Sequence, residues 1–366
     1  MRIFRNTCRA FAAACLAVAA AGAARAQPAL PADLGARVAE AYARPAFDRL
    51  REAAGRMEDA LRAVCQAGAG DAAPRRAAAS EAFGALARAW AGVEFLRFGP
   101  LVQGNRYERL AFWPDPRGVV LRQVQEALAR RDQALLAPGA LAARSVALQG
   151  LPALEFVLYR DDGLLQAGAA APDAYACGYA RAVAANVSTL SAELAQAWSA
   201  RGDFGVQFTS PGPSRELYRN TQEVAAETVK ALSTGLQFAR DVKLLPVLGA
   251  SAAEARPRRA AFWRSGQSVA TLDAGLAGQQ ALAGLLARML PADARWSGET
   301  ARDEIGRARQ ALADAGAPIE QAAAESPGRP ALALAALILK NAKDIVDQDL
   351  AAALGVTIGF NALDGD

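Results

Sequence analysis

Residues 75–97, RRAAASEAFGALARAWAGVEFLR, set Phe83, Leu86, Trp90 and Val93 three and four positions apart, the spacing that gathers side chains on one helix face. The same period recurs on both sides. Upstream, Leu50, Met57, Leu61 and Val64 give one or two helices over Leu34–Cys65, closed by the turn-forming stretch that ends at Pro74. Downstream, helices are expected over Val119–Leu136, Ala140–Tyr159 with an interruption at Gly150 and Pro152, Asp173–Ala200, Arg215–Arg240, Ala252–Leu290, Gly298–Ala315 and Ala331–Leu354. Alternating β-branched runs bounded by turn pairs are almost absent, and only the tail GVTIGFNALDGD (355–366) reads as strand-like. The expected fold class is all-α. With 53% hydrophobic and 21% charged residues, the 366-residue chain has material for a large core and is not a disordered protein.

Met1–Ala26 reads as a secretory signal: Arg2, Arg5 and Arg9 precede an apolar run from Phe11 to Ala24, and Ala24-Arg25-Ala26 forms an A-x-A cleavage site. The apolar run is shorter than the roughly 20 residues of a membrane-spanning helix, which counts against an anchor. A lipoprotein would use Cys15, but the residues before it make a poor lead-in. The chain is therefore expected to be exported to the periplasm, without a membrane lipid anchor. The four arginines of this leader account for the whole formal charge of +4, so the remainder is neutral and a nucleic-acid-binding reading fails. Removing the leader leaves Cys65 and Cys177. In an oxidising compartment these favour one disulfide over two separate buried thiols.

The sequence contains no histidine. That excludes Ser-His-Asp and Cys-His machinery, HExxH zinc sites and a histidine general base. Two cysteines also fall short of a structural zinc site, so any bound metal must take oxygen ligands, as iron(III), magnesium, calcium or manganese would. No Gly-rich phosphate loop is present, since GAGDAAP (68–74) lacks a following Gly-Lys-Ser/Thr. Glu223, Glu227, Asp344, Asp347 and Asp349 fit solvated helix faces with neighbours three or four residues away. Glu155 differs, because it sits within LQGLPALEFVLY (148–159), where a charge needs a partner or a cavity. Glu94 is the second carboxylate of interest and Arg97 lies beside it. The stretch 101–118, LVQGNRYERLAFWPDPRG, is too irregular for one helix. Its Asn105, Arg106, Trp113 and Asp115 fit either a pocket, in which Arg meets an anion and the indole forms a wall, or a loop stapled to the bundle by its own side chains.

Short segments recur in order. Arg97-Phe98-Gly99-Pro100-Leu101 is paralleled by Lys243-Leu244-Leu245-Pro246-Val247, and Ala111-Phe112-Trp113 by Ala261-Phe262-Trp263. The Gly/Pro-rich connection 201–214 lies between them, which gives an expected division into 27–205 and 206–366, each a helical bundle.

At LQGLPALEFVLYR (148–160) the sequence resembles the imelysin family of exported helical bacterial proteins. The likeness extends through RFGPLVQGNRYERLAFWPDPRG (97–118), CGYARAVAANVSTLSAELAQAW (177–198) and the closing LGVTIGFNALDGD (354–366). It lies nearest the imelysin-like branch described as predicted periplasmic lipoproteins. The resemblance implies two pseudo-symmetric helical bundles, a functional site near their junction and an association with iron uptake; some members are classed as metallopeptidases. The family signature is G-x-H-x-x-E. Here Gly150 and Glu155 carry over, while Pro152 stands at the histidine position and offers a metal no lone pair. The expectation is a binding protein for iron or another oxygen-ligated metal ion, without peptidase activity, in which Glu155 is the candidate metal ligand. The alternatives are an imelysin-type metallopeptidase, a hydrolase using Glu94 and Glu155 alone, and a module that docks an envelope uptake protein.

Overall fold

The computed structural model describes residues 30–66, 72–166, 172–316 and 318–357. The expected leader and the strand-like tail from residue 358 onward lie outside the described residues. Among those described there is no strand. Nine long helices organise the described residues: α1 (Arg44–Cys65), α2 (Ala72–Ala91), α3 (Val119–Arg130), α4 (Gly150–Tyr159), α5 (Ala174–Trp198), α6 (Thr221–Gln237), α7 (Ser268–Met289), α8 (Arg295–Asp314) and α9 (Gly328–Ile345). Three π-helical segments continue them. Ala39–Ala43 leads into α1, Phe238–Leu244 extends α6 and Val346–Leu350 extends α9.

α1 lies between α2 and α5, and α4 packs on α5. In the second half α8 lies between α7 and α9, and α9 also meets α6. α2 packs against α7 and so joins the two sets, and the buried apolar residues form one continuous core across both. Cys65, at the end of α1, is disulfide-bonded to Cys177 in the first turn of α5, 112 positions away. No helix among the described residues is long and apolar enough to cross a membrane.

The α-helices that begin at Gly150 and Thr221 start later than the expected Ala140 and Arg215, and the structure departs from the expected elements at three further places. The helix expected to run to Arg97 ends at Ala91, and residues 92–98 turn away, which places Glu94 and Phe95 at the corner. The connection 201–214 contains a helix, Asp203–Thr209, because Phe204 and Phe208, one turn apart, both enter an aromatic cluster with Trp198, Phe98 and Tyr218. The expected long helix 252–290 begins only at Ser268. Pro257 and the left-handed residues Phe262 and Gly266 hold the preceding segment in short turns instead.

Helix starts are set by local chemistry. Asp173 caps α5 by accepting from the Ala176 N–H at 2.8 Å, and this hydrogen bond, aided by Arg131, holds its pKa below the usual aspartate value. Asn220 caps α6 through the Glu223 N–H at 3.0 Å, while Glu223 accepts from the Arg219 N–H at 2.7 Å. Asp344 and Asp347 pair with Lys340 and Lys343 one turn earlier, the helix-face arrangement their spacing suggests.

Candidate functional site

α4 opens at the segment that resembles the family signature. Gly150 is its first residue and adopts φ +80°, a region open to glycine and strained for other residues. A Cβ there would lie 2.5 Å from the Leu110 carbonyl oxygen and 2.6 Å from that of Arg109, so glycine lets the 106–110 helix lie directly on the start of α4. Beside it, buried Gln149 donates to the Leu141 and Arg144 carbonyls and accepts from Asn186 at 2.8 Å and Arg109 at 3.2 Å. Pro152 falls in the first turn, where its missing N–H has no helical partner to lose.

α4 carries Pro152, Glu155 and Phe156 to the wall of a cavity of about 650 Å³. Both members of the repeated segment also line it, Ala111, Phe112 and Trp113 together with Ala261, Phe262 and Trp263. Trp90 and Tyr107 add further rings, and the π-helical extension of α6 contributes Asp241 and Val242. Phe262 is buried and holds φ +58°, an uncommon conformation for a bulky residue, at the point where the chain turns to line the cavity.

The cavity's carboxylates have different environments. Glu155, 4% exposed, accepts from the Ser265 N–H at 2.9 Å and from the Ser265 hydroxyl at 2.8 Å. Burial raises its pKa above the usual value, against the lowering effect of the Ser265 hydrogen bonds and the Arg264 charge. Burial in turn lowers the pKa of Arg264, although Glu155 counteracts it. Glu94 forms a buried ion pair with Lys243. Asp115 is committed to α3, since its two oxygens accept from the Val119 and Val120 N–H groups at 2.9 and 2.8 Å. Asp241 pairs with Arg240.

Of the residues singled out in the sequence, Glu94, Trp113, Asp115 and Glu155 meet at this cavity, while Gly150 supports it from behind. Arg97 lies 4.1 Å over the Tyr107 ring and 5.5 Å from that of Phe238, so it braces the wall without lining it. Asn105 is an exposed left-handed residue before the 106–110 helix. Arg106 turns the other way, pairing with Glu193 at 3.0 Å and donating to the Pro100 and Gln103 carbonyls; this part of the loop is stapled to the bundle. Neither Asn105 nor Arg106 reaches the cavity. The site also uses Lys243, Arg258, Arg259, Arg264 and Ser265, which were not anticipated. The signal that could have found them was the second Ala-Phe-Trp segment at 261–263.

The donors do not suit a protein-held metal ion. Pro152 supplies no ligand, the Glu155 carboxylate is turned to Ser265, and the described residues contain no group of three or more His, Cys, Asp or Glu able to hold a metal.

Comparisons with known proteins agree with this architecture. The imelysin family model, under the heading peptidase M75, matches residues 43–346. An imelysin-like protein from Psychrobacter arcticus 273-4 superposes with a TM-score of 0.74 at 20% identity, covering 92% of this chain and 100% of that one. A protein from Parabacteroides distasonis ATCC 8503, described as a candidate iron-regulated protein A precursor, gives 0.69 at 13% identity, covering 88% and 96%. No curated protein matches the sequence. With its helical fold and a family match spanning most of its length, the chain belongs to the imelysin family.

Proposed function

We propose that this chain is an exported, periplasmic binding protein that serves iron-linked uptake and has no peptidase activity. The observation that carries the reading is the cavity itself: two copies of one aromatic segment, from separate halves of the chain, wall a space of small-molecule size. A boundary near residue 205 between two related bundles accords with that pairing. The change at position 152 supports binding over hydrolysis, because the family's histidine ligand is replaced by proline. Hydrolysis by Glu94 and Glu155 alone has little support, since Lys243 neutralises the first and Ser265 donates twice to one oxygen of the second. The iron link rests on the description of the Parabacteroides neighbour as iron-regulated, and export is supported by its description as a precursor. Iron in this reading is cargo, carried within a larger ligand.

The test combines proteolysis with thermal shift. Unfolded casein should survive incubation with the protein, with or without chelator. Haem or ferric citrate should raise the melting temperature saturably, an effect lost in Trp113→Ala. Bare ferric, manganese, calcium and zinc ions should give no saturable shift that depends on Glu155. Chelator-sensitive cleavage of casein, or the absence of any Trp113-dependent shift, would overturn the proposal.

A further inference from the structure

Each carboxylate on the cavity wall already has a hydrogen-bond or ion-pair partner within the chain, whereas the wall's arginine side chains make neither kind of contact among the described residues, although Arg264 feels the nearby charge of Glu155. Glu94 is matched by Lys243, Asp241 by Arg240, Asp115 by two backbone N–H groups and Glu155 by Ser265. Arg258, Arg259 and Arg264 also line the cavity, and none of the three side chains forms an ion pair or hydrogen bond with the described residues. Two of them rest on aromatic faces. Arg258 stands 5.4 Å from the Trp263 ring centre, and Arg264 lies 4.4 Å from Trp263 and 5.3 Å from Phe156. Stacking on a ring orients a guanidinium while leaving its N–H edge free, and that edge matches the two oxygens of an acid group. The remaining wall is apolar and includes seven aromatic residues.

From this geometry we infer that the cavity takes a planar, largely apolar organic anion, with its ring on the aromatic wall and its acid group on Arg258, Arg259 and Arg264. The inference rests on the binding-protein reading and adds the ligand's chemical class. A cationic ligand is disfavoured, because each wall carboxylate is already ion-paired or hydrogen-bonded within the chain and three arginines line the space.

The experiment uses two fluorescent probes with the same ring system, 8-anilinonaphthalene-1-sulfonate and its uncharged counterpart N-phenyl-1-naphthylamine. Each is titrated into the full chain, the double variant Arg258→Gln/Arg259→Gln, Arg264→Gln and Trp113→Ala. Arg258 and Arg259 are exposed, so their replacement leaves the core untouched, and circular dichroism checks the fold. The wild type should bind the sulfonate saturably at one site, at least tenfold more tightly than the neutral probe. The double variant should weaken the sulfonate at least tenfold and leave the neutral probe unchanged. Arg264→Gln should act in the same direction, and Trp113→Ala should weaken both probes. Equal affinity for the two probes in wild type, or sulfonate binding unchanged in the arginine variants, would overturn the anion inference while leaving a binding cavity in place. Saturable binding of neither probe would overturn both the inference and the binding reading.

Discussion

At position 150 the side chain is limited to hydrogen by two carbonyl oxygens and a left-handed backbone. Gly150→Ala is expected to lower stability by about 2–3 kcal/mol through backbone strain and the forced separation of α4 from the 106–110 helix, measured by urea denaturation. The glycine of the signature segment is thus explained by packing, without a ligand. Glu155 makes a different prediction. Both folded and unfolded chains hold its proton well below pH 4.5, the ordinary glutamate value. As pH rises past that value the unfolded chain ionises first, whereas burial keeps the folded group protonated to higher pH. The Glu155 contribution to stability therefore declines with rising pH and levels off above its raised folded pKa. Glu155→Gln retains an oxygen for the Ser265 N–H and removes this slope. The stability of wild type minus that of Glu155→Gln, followed by denaturant titration between pH 4 and 8, should fall with pH; a constant difference would show that burial does not shift the group.

At the scale of elements, periodicity located most helices and missed the features that shape the cavity. α5 begins and ends within two residues of the range its apolar spacing suggests, because Asp173 caps one end and the pattern fades after Trp198. The segment 252–267 was less legible. Its alanines and arginines favour a helix locally, but Pro257 and the left-handed Phe262 and Gly266 belong to turns that lead the chain around the cavity. Short helix Asp203–Thr209 was similarly hidden, since only tertiary packing of Phe204 and Phe208 distinguishes it from a Gly-rich linker. The α1–α5 disulfide gives a prediction at this scale. It closes a long loop in the unfolded chain, so Cys65→Ser/Cys177→Ser should lose up to about 4–5 kcal/mol by the chain-entropy argument. Comparison of urea unfolding for the oxidised protein and the double variant measures that loss, and thiol counting by mass spectrometry checks the bond.

On the scale of the molecule, α2 packs on α7 to join the two sets of helices, and the cavity gathers the distant Ala-Phe-Trp segments 111–113 and 261–263. One continuous core anchors both segments. The cavity's charge pattern is also a property of the assembled molecule. Glu94 and Lys243 lie 149 positions apart, and Glu155 and Ser265 lie 110 apart, so no local motif announces either partnership. The same folding that matches these acids leaves Arg258, Arg259 and Arg264 lining the cavity with no side-chain ion pair or hydrogen bond among the described residues, although Arg264 feels the Glu155 charge, and this is the basis for the choice of ligand class.

By itself the sequence determined the helical class, the lack of histidine chemistry and the family likeness, because helical period, residue inventory and ordered motifs are properties of the linear chain. Among the anticipated site residues it pointed to Glu155 and Trp113, whose surroundings within their own segments are unusual. Only the tertiary structure decided that Arg106 staples a loop, that Asp115 caps α3, and that Glu155 is held by a serine from the other half. The physical reason is that burial and partnership depend on which distant segments fold together, and a side chain's charge acquires its role only when the group facing it is fixed.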